Sequence, residues 1–375
     1  MRRLAALGLA ALQLLLLTGR GGVRTNYREV EQLLVVQTLG LDGKEGGVTL
    51  TLAAKGDSEQ GVRRMKAPGS SVTAAMDRIR ASIYEEELFC AHAERLVVGE
   101  KTAEAGLDGV LAWLERSPEM RLDLPLYVVR GDTAERAMLE VGDEQRGICD
   151  AMDTADRAAR RRGDCGLTTA ADILRDSARF GSALICALSL RPAAEQDEKA
   201  EGALTAAPSG YAVLRGGKLV RFLNAEQAIA AGLLKNEPGL SEITVCDRFG
   251  RPAVIELSGG SSRIRPVWEG GALRGLQVEV QLRGSVAELS AGSSPPDTDE
   301  LTARLEEKLA SAVSAALQAS RELRADYLGL AAHVERADPV RFRALTQAFP
   351  DLLPELQLEV TVRARLDHAP DRKEV

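Results

Sequence analysis

Histidine is scarce, cysteine is unpatterned and long apolar runs are confined to one end, and each shortage removes a class of function. The three histidines, His92, His333 and His368, are scattered through 375 residues, and none has the Asp, Glu or Cys spacing of a triad or a metal cluster. No P-loop, G-x-S-x-G or H-E-x-x-H motif occurs. The chain therefore reads as a non-enzyme with no catalytic, cofactor or metal site. Cys90, Cys149, Cys165, Cys186 and Cys246 show no C-x-x-C spacing, so neither a zinc site nor a disulfide framework can be read from them. Cys149 and Cys165 are one candidate pair in an oxidising compartment, buried thiols are the other reading, and Cys186 lies in an apolar run typical of a core strand. The net charge of -7 is spread along the chain without a basic stripe, which argues against nucleic acid as a partner.

What the chain does have begins at its N-terminus. Arg2 and Arg3 precede an apolar stretch from Leu4 to Leu17, the pattern of a secretory signal. Leu17-Thr18-Gly19-Arg20 then fits a bacterial lipobox in three of four positions, with Arg20 where the acylated cysteine would stand. The thiol is the atom that would carry the lipid, and a guanidinium cannot replace it. Residues 1–22 thus read as a signal or lipoprotein-like segment with a degenerate lipobox, leaving an uncut weak anchor or an unlipidated export signal. Beyond it no apolar run approaches the roughly 20 residues of a membrane helix, so membrane contact is assigned to the N-terminus or to partners.

A hydrophobic content of 45% is enough for a real core, and the patterning along the chain suggests three domains. In an N-terminal α/β domain over 23–191, residues 31–40 and Val48, Leu50 and Leu52 form a hairpin around Asp42-Gly43. Helices at about 71–83, 103–115, 133–141 and 168–177 then alternate with strands near 94–98, 124–129 and 183–190. The intervening charged stretch, with Arg157, Arg160, Arg161 and Arg162, reads as a solvated face. Residues 192–208 read as a linker. A small middle domain over 209–250 holds a hairpin around Arg215-Gly216-Gly217, a short helix and a strand. In a C-terminal domain over 251–370, alternation at Leu276, Val278, Val280 and Leu282, and again at Leu356, Leu358, Val360 and Val362, predicts an antiparallel sheet with one wet face. Leu301, Leu305, Leu309, Val313 and Leu317 recur every four residues and predict a long helix covering that sheet. The expected class is α/β (α+β), with mixed sheets flanked by helices.

Ordered patterns along the chain add a resemblance. Arg28-Glu29-Val30-Glu31, Leu39-Gly40-Leu41-Asp42, and the run from Phe89-Cys90-Ala91-His92 through Glu94-Arg95-Leu96-Val97-Val98-Gly99-Glu100 form such a series. Arg116-Ser117-Pro118-Glu119-Met120-Arg121 and Arg324-Ala325-Asp326-Tyr327-Leu328-Gly329 extend it. The series resembles the Ger(x)C spore germination lipoproteins, the C subunits of nutrient germinant receptors. The resemblance implies three domains on the outer face of the inner spore membrane. It also implies assembly with a polytopic A subunit and a transporter-like B subunit, with binding surface contributed in place of bond chemistry. Residues of possible interaction are then Arg28 and Glu29 near the anchor, His92 and Glu94 at the start of a strand, and Asp326 after the long helix. The alternative is an exported solute-binding protein, which would need a cleft between two similar lobes.

Overall fold

The computed structural model describes residues 33–55, 61–84, 86–142, 147–163, 165–192, 204–236, 242–289, 298–346 and 348–367. Arg20, Arg28 and Glu29 lie outside the described residues.

The first sheet has nine strands. Its centre is the parallel set β1 (Leu33–Lys44), β5 (Arg95–Gly99), β6 (Leu126–Val129) and β7 (Ser182–Pro192). The antiparallel strands β2 (Gly47–Lys55) and β3 (Val62–Gly69) continue it on one side, and β8 (Leu204–Arg215) and β9 (Lys218–Phe222) on the other. A short β4 (Glu87–Phe89) pairs with the start of β1. Parallel strands need cover on both faces, and these have it. Leu96, Val98, Leu126, Val128 and Ile185 face a core shared with α1 (Val72–Ala81), α2 (Glu100–Ala105), α3 (Asp108–Arg116) and α6 (Ala170–Phe180). Val97, Tyr127, Leu184 and Cys186 face the opposite core, with α4 (Ala134–Glu140) and α5 (Ile148–Arg162).

The second sheet runs β10 (Glu242–Cys246), β11 (Pro252–Glu269), β12 (Ala272–Leu289) and β13 (Gln357–Asp367). Helix α7 (Ala225–Leu234) and the long α8 (Thr298–Leu323) pack with it, and the expected leucine stripe of α8 is buried. Glu306 of α8 accepts from Ala364 N of β13 (2.8 Å), and Lys308 Nζ donates to Thr244 O of β10 (3.0 Å). Helices α9 (Leu330–Ala337), α10 (Pro339–Arg343) and α11 (Phe349–Leu352) complete the crossover to β13. The hydrophobic core under this sheet is continuous with one face of the first sheet. The molecule is thus a mixed α/β fold with two mixed sheets flanked by helices.

Four sequence expectations change, each for a long-range reason. The first hairpin turns at Glu45-Gly46, where Gly46 has φ +75°, and β1 runs straight through Asp42-Gly43. Asp42 is held elsewhere: its carboxylate accepts from Ala134 N (2.9 Å) and Glu135 N (2.7 Å), the first donors of α4. The helix expected over 103–115 is broken into α2 and α3 at Gly106, where Leu107 N donates to Gly217 O in the β8–β9 turn (2.8 Å). The hairpin placed in a middle domain joins the first sheet, with β8 beginning inside the stretch read as a linker, while β10 joins the second sheet. So few residues cannot bury a core alone, and the larger sheets on either side take them up. Finally, β13 pairs parallel to β12, so the C-terminal sheet is mixed and not wholly antiparallel. The helical crossover returns the chain to the end of the sheet where β12 began, and only a parallel strand can follow.

Gly99, in the run quoted above, lies against the Asp42 carboxylate and the first residues of α4. A Cβ there would stand 2.1 Å from Asp42 Oδ1 and 3.3 Å from Ala134 N. Gly99→Ala is therefore expected to push Asp42 off the α4 terminus and lower stability by about 1–3 kcal/mol, read as a fall in the urea midpoint. An unchanged midpoint would mean that the Asp42 cap contributes little.

Candidate functional site

A cavity lies at the amino ends of the parallel strands. Val35 and Gln37 of β1, Lys55 at the end of β2, His92 and Glu94 before β5, and Arg121 and Asp123 before β6 line a space of about 560 Å³. His92 and Glu94, expected together at the start of a strand, both lie on its rim. Both are exposed, and the His92 ring rests 5.3 Å from that of Phe89. Glu94 N donates to Gln37 O (2.8 Å), which fixes the loop against β1. Cys90, two residues before His92, lines a different cavity with Arg80 and Trp113. Burial pushes its thiol up to about 11, with the Glu119 charge adding to the effect, so it is a neutral thiol at physiological pH.

Beneath Glu94 lies a polar cluster that the sequence reading missed. Arg95 is 7% exposed and directs its guanidinium at Cys149 Sγ (2.8 Å), at Asp153, and at Asp156 Oδ2 (3.1 Å). Tyr127 Oη donates to the same Asp156 oxygen (2.9 Å), and Cys149 Sγ donates to Glu94 Oε2 (3.0 Å). Burial works against the charged guanidinium, yet its surroundings more than offset it and hold the pKa above the usual arginine range. Cys149 is itself pushed up to about 12, first by burial and then by its bond to Glu94. A neutral thiol carries no charge, so the carboxylates are what keep Arg95 ionised. Burial also raises the Tyr127 phenol, leaving it a proton donor to Asp156. The cluster locks α5 to β5 and β6 and leaves Glu94 at the surface.

Asp326 belongs to neither feature. It is 1% exposed, and its carboxylate accepts from Leu330 N (2.7 Å) and Ala331 N (2.8 Å) at the start of α9. The expected interaction residue is thus an internal cap, because a partner cannot reach a buried carboxylate already holding two helix donors. Arg157 and Arg160 are exposed on α5, as a solvated face requires. Among the described residues no three His, Cys, Asp or Glu side chains are grouped to hold a metal ion. No helix among them is long and apolar enough to cross a membrane.

Comparison with known proteins bears on both halves of this structure. The family described as spore germination B3/GerAC like, C-terminal, matches residues 209–369, and the spore germination protein N-terminal domain matches residues 26–163. The chain belongs to the Ger(x)C family of spore germination proteins. A crystal structure of the GerBC protein superposes with a TM-score of 0.55 at 18% identity, covering 88% of this Ger(x)C chain and 96% of that one. That likeness concerns the fold. No curated protein sequence matches. The N-terminal match spans the cavity, the Arg95 cluster and the Asp42 cap, whereas the C-terminal match begins within β8 and takes in Asp326.

Proposed function

We propose that this Ger(x)C protein is a non-enzymatic subunit of a spore nutrient germinant receptor. It assembles with polytopic A and B subunits on the extracytoplasmic face of the inner spore membrane and is held there through its N-terminus. The observation that carries this reading is the match of both Ger(x)C domains, in order, along the one chain. The side-chain chemistry agrees with a binding role. Cys90 and Cys149 are weak nucleophiles, and Arg95, the one buried cation among the described residues, is committed to fixed acids. The continuous core between the two sheets suits a rigid platform that offers surface to partners.

Within this reading His92 and Glu94 belong to the contact surface. His92→Ala with Glu94→Gln, which keeps an acceptor for the Cys149 thiol, is expected to weaken retention by the membrane subunits severalfold while changing stability by no more than about 1 kcal/mol. Retention equal to wild type would remove this rim from the interface. Spores lacking the chain should lose the response to the nutrient served by its receptor, and an undiminished response in that strain would contradict the assignment. Arg20→Cys is expected to bring an acyl label to the N-terminus, and a variant without one would count against the lipobox reading.

The solute-binding alternative rests on the 560 Å³ cavity. Its position weighs against it, because ligand crevices of open α/β sheets lie at the carboxyl ends of the strands and this cavity lies at the amino ends. A ligand-induced rise in Tm for the isolated chain would favour that alternative.

A further inference from the structure

We propose that Cys165 and Cys186 are a disulfide site, oxidised when the chain folds outside the cytoplasm. The proposal rests on the extracytoplasmic location argued above. Sequence spacing raises Cys149 with Cys165, but the fold separates their surroundings. Cys149 sits against Arg95 and Glu94, whereas Cys165 Sγ lies 2.7 Å from Cys186 Sγ. That contact is closer than two unbonded sulfurs pack, and a covalent bond of about 2.05 Å needs only a small further approach.

Both residues are held in place by other contacts. Cys186 lies mid-strand in β7, paired with Tyr127 on one side and Tyr211 on the other. Cys165 follows the left-handed Gly163 that ends α5, and its neighbour Gly166 donates its N–H to Tyr211 Oη (2.6 Å). Tyr211 therefore fixes both partners, through its strand pairing with Cys186 and its hydroxyl bond beside Cys165. The remaining thiols are elsewhere: Cys90 in the opposite core and Cys246 exposed at the end of β10.

Cys186 is fully buried and Cys165 nearly so, which requires the bridge to form while β7 is still accessible during folding. The oxidant is a disulfide, either a small-molecule disulfide or a thiol oxidase of the dithiol–disulfide class. One cysteine thiolate attacks it to give a mixed disulfide, and the second thiolate displaces the oxidant's sulfur. The two thiols lose two electrons and two protons, and the oxidant leaves reduced, as two small-molecule thiols or as the oxidase's dithiol. The product closes a loop that contains all of α6 onto the central strand.

The test is the full chain, recovered from spores and separately refolded in a glutathione redox buffer, then unfolded and labelled with N-ethylmaleimide without reductant. Of five cysteines, three should label, with a crosslinked peptide joining Cys165 to Cys186. Prior reduction should raise the count to five and lower Tm by roughly 5 °C. In Cys165→Ser four should label, because Cys186 has lost its partner. Five labels in wild type from both sources, or a Cys149–Cys165 peptide, would overturn the pairing. A bridge that forms in the buffer and is missing from spore material would support the pairing and contradict the extracytoplasmic location, so the two readings fail separately.

Discussion

Arg95→Ala is expected to destabilise the protein by about 3–5 kcal/mol, seen as a lower urea midpoint and a Tm reduced by several degrees. The effect follows from what remains behind. Asp156 is buried, shares its Oδ2 between Arg95 and Tyr127, and would be left buried without that guanidinium. Asp153 and Glu94 are half exposed and contribute less, because water screens them. The pairing can be separated from simple packing by a double-mutant cycle with Asp156→Asn, where a coupling of about 0.5–3 kcal/mol is expected. Arg95→Met with Asp156→Leu and Tyr127→Phe, which removes the hydroxyl that Asp156 accepts from, should recover much of the loss, since a buried ion pair can be replaced by apolar groups at little net cost. A loss below about 1 kcal/mol for Arg95→Ala would mean that the cluster does not hold α5 to the sheet.

Asp326→Ala should be comparably damaging, at about 2–6 kcal/mol, because it strips the acceptor from two buried N–H groups at the head of α9. The same residue gives a pH signature. Burial pushes the Asp326 carboxyl up to about 7, with the helix N–H groups pulling it back and the Asp176 charge adding to the rise. The folded state therefore holds this proton more tightly than the unfolded chain, whose value is 3.8. The stability it contributes is complete below pH 3.8 and is lost as pH rises towards about 7. Asp326→Asn removes the titration. The difference in Tm between wild type and Asp326→Asn should then move against wild type over that window, and a constant difference from pH 4 to pH 8 would contradict the buried-acid description.

Much of the fold is legible in the sequence because it follows local periodicity. The four-residue spacing of Leu301 to Leu317 gives α8 and its buried face, and alternation at Leu276 to Leu282 gives β12 and its wet side. What escapes is set by partners distant in sequence. Asp42-Gly43 has the composition of a turn, but the donors that claim Asp42 lie 92 and 93 positions away. Gly106 interrupts a helical pattern because a turn at Gly217 docks there. The direction of β13 depends on where a long helical crossover ends, which no pattern within the strand encodes.

The site shows the same division. His92 and Glu94 are visible as polar residues at the start of a strand, while their neighbours Arg121 and Asp123 come from a loop before β6. Arg95 reads as one more arginine in a charged run until α5 brings Asp153 and Asp156 to it across 58 and 61 positions. One signal was present: Asp153 and Asp156 are three residues apart and share a helix face, with Tyr127 as a donor on a buried strand. Asp326 carried the opposite risk, since an acid shortly before a helix is more often a cap than a contact.

The most direct test of the receptor assignment is a crosslinked pull-down of the intact chain from the spore inner membrane, with mass spectrometry of its partners and of its own N-terminus. Recovery of two polytopic membrane proteins in constant ratio to the chain is the result that a Ger(x)C receptor subunit predicts. A chain recovered alone from the soluble fraction, with neither protein attached, would contradict it.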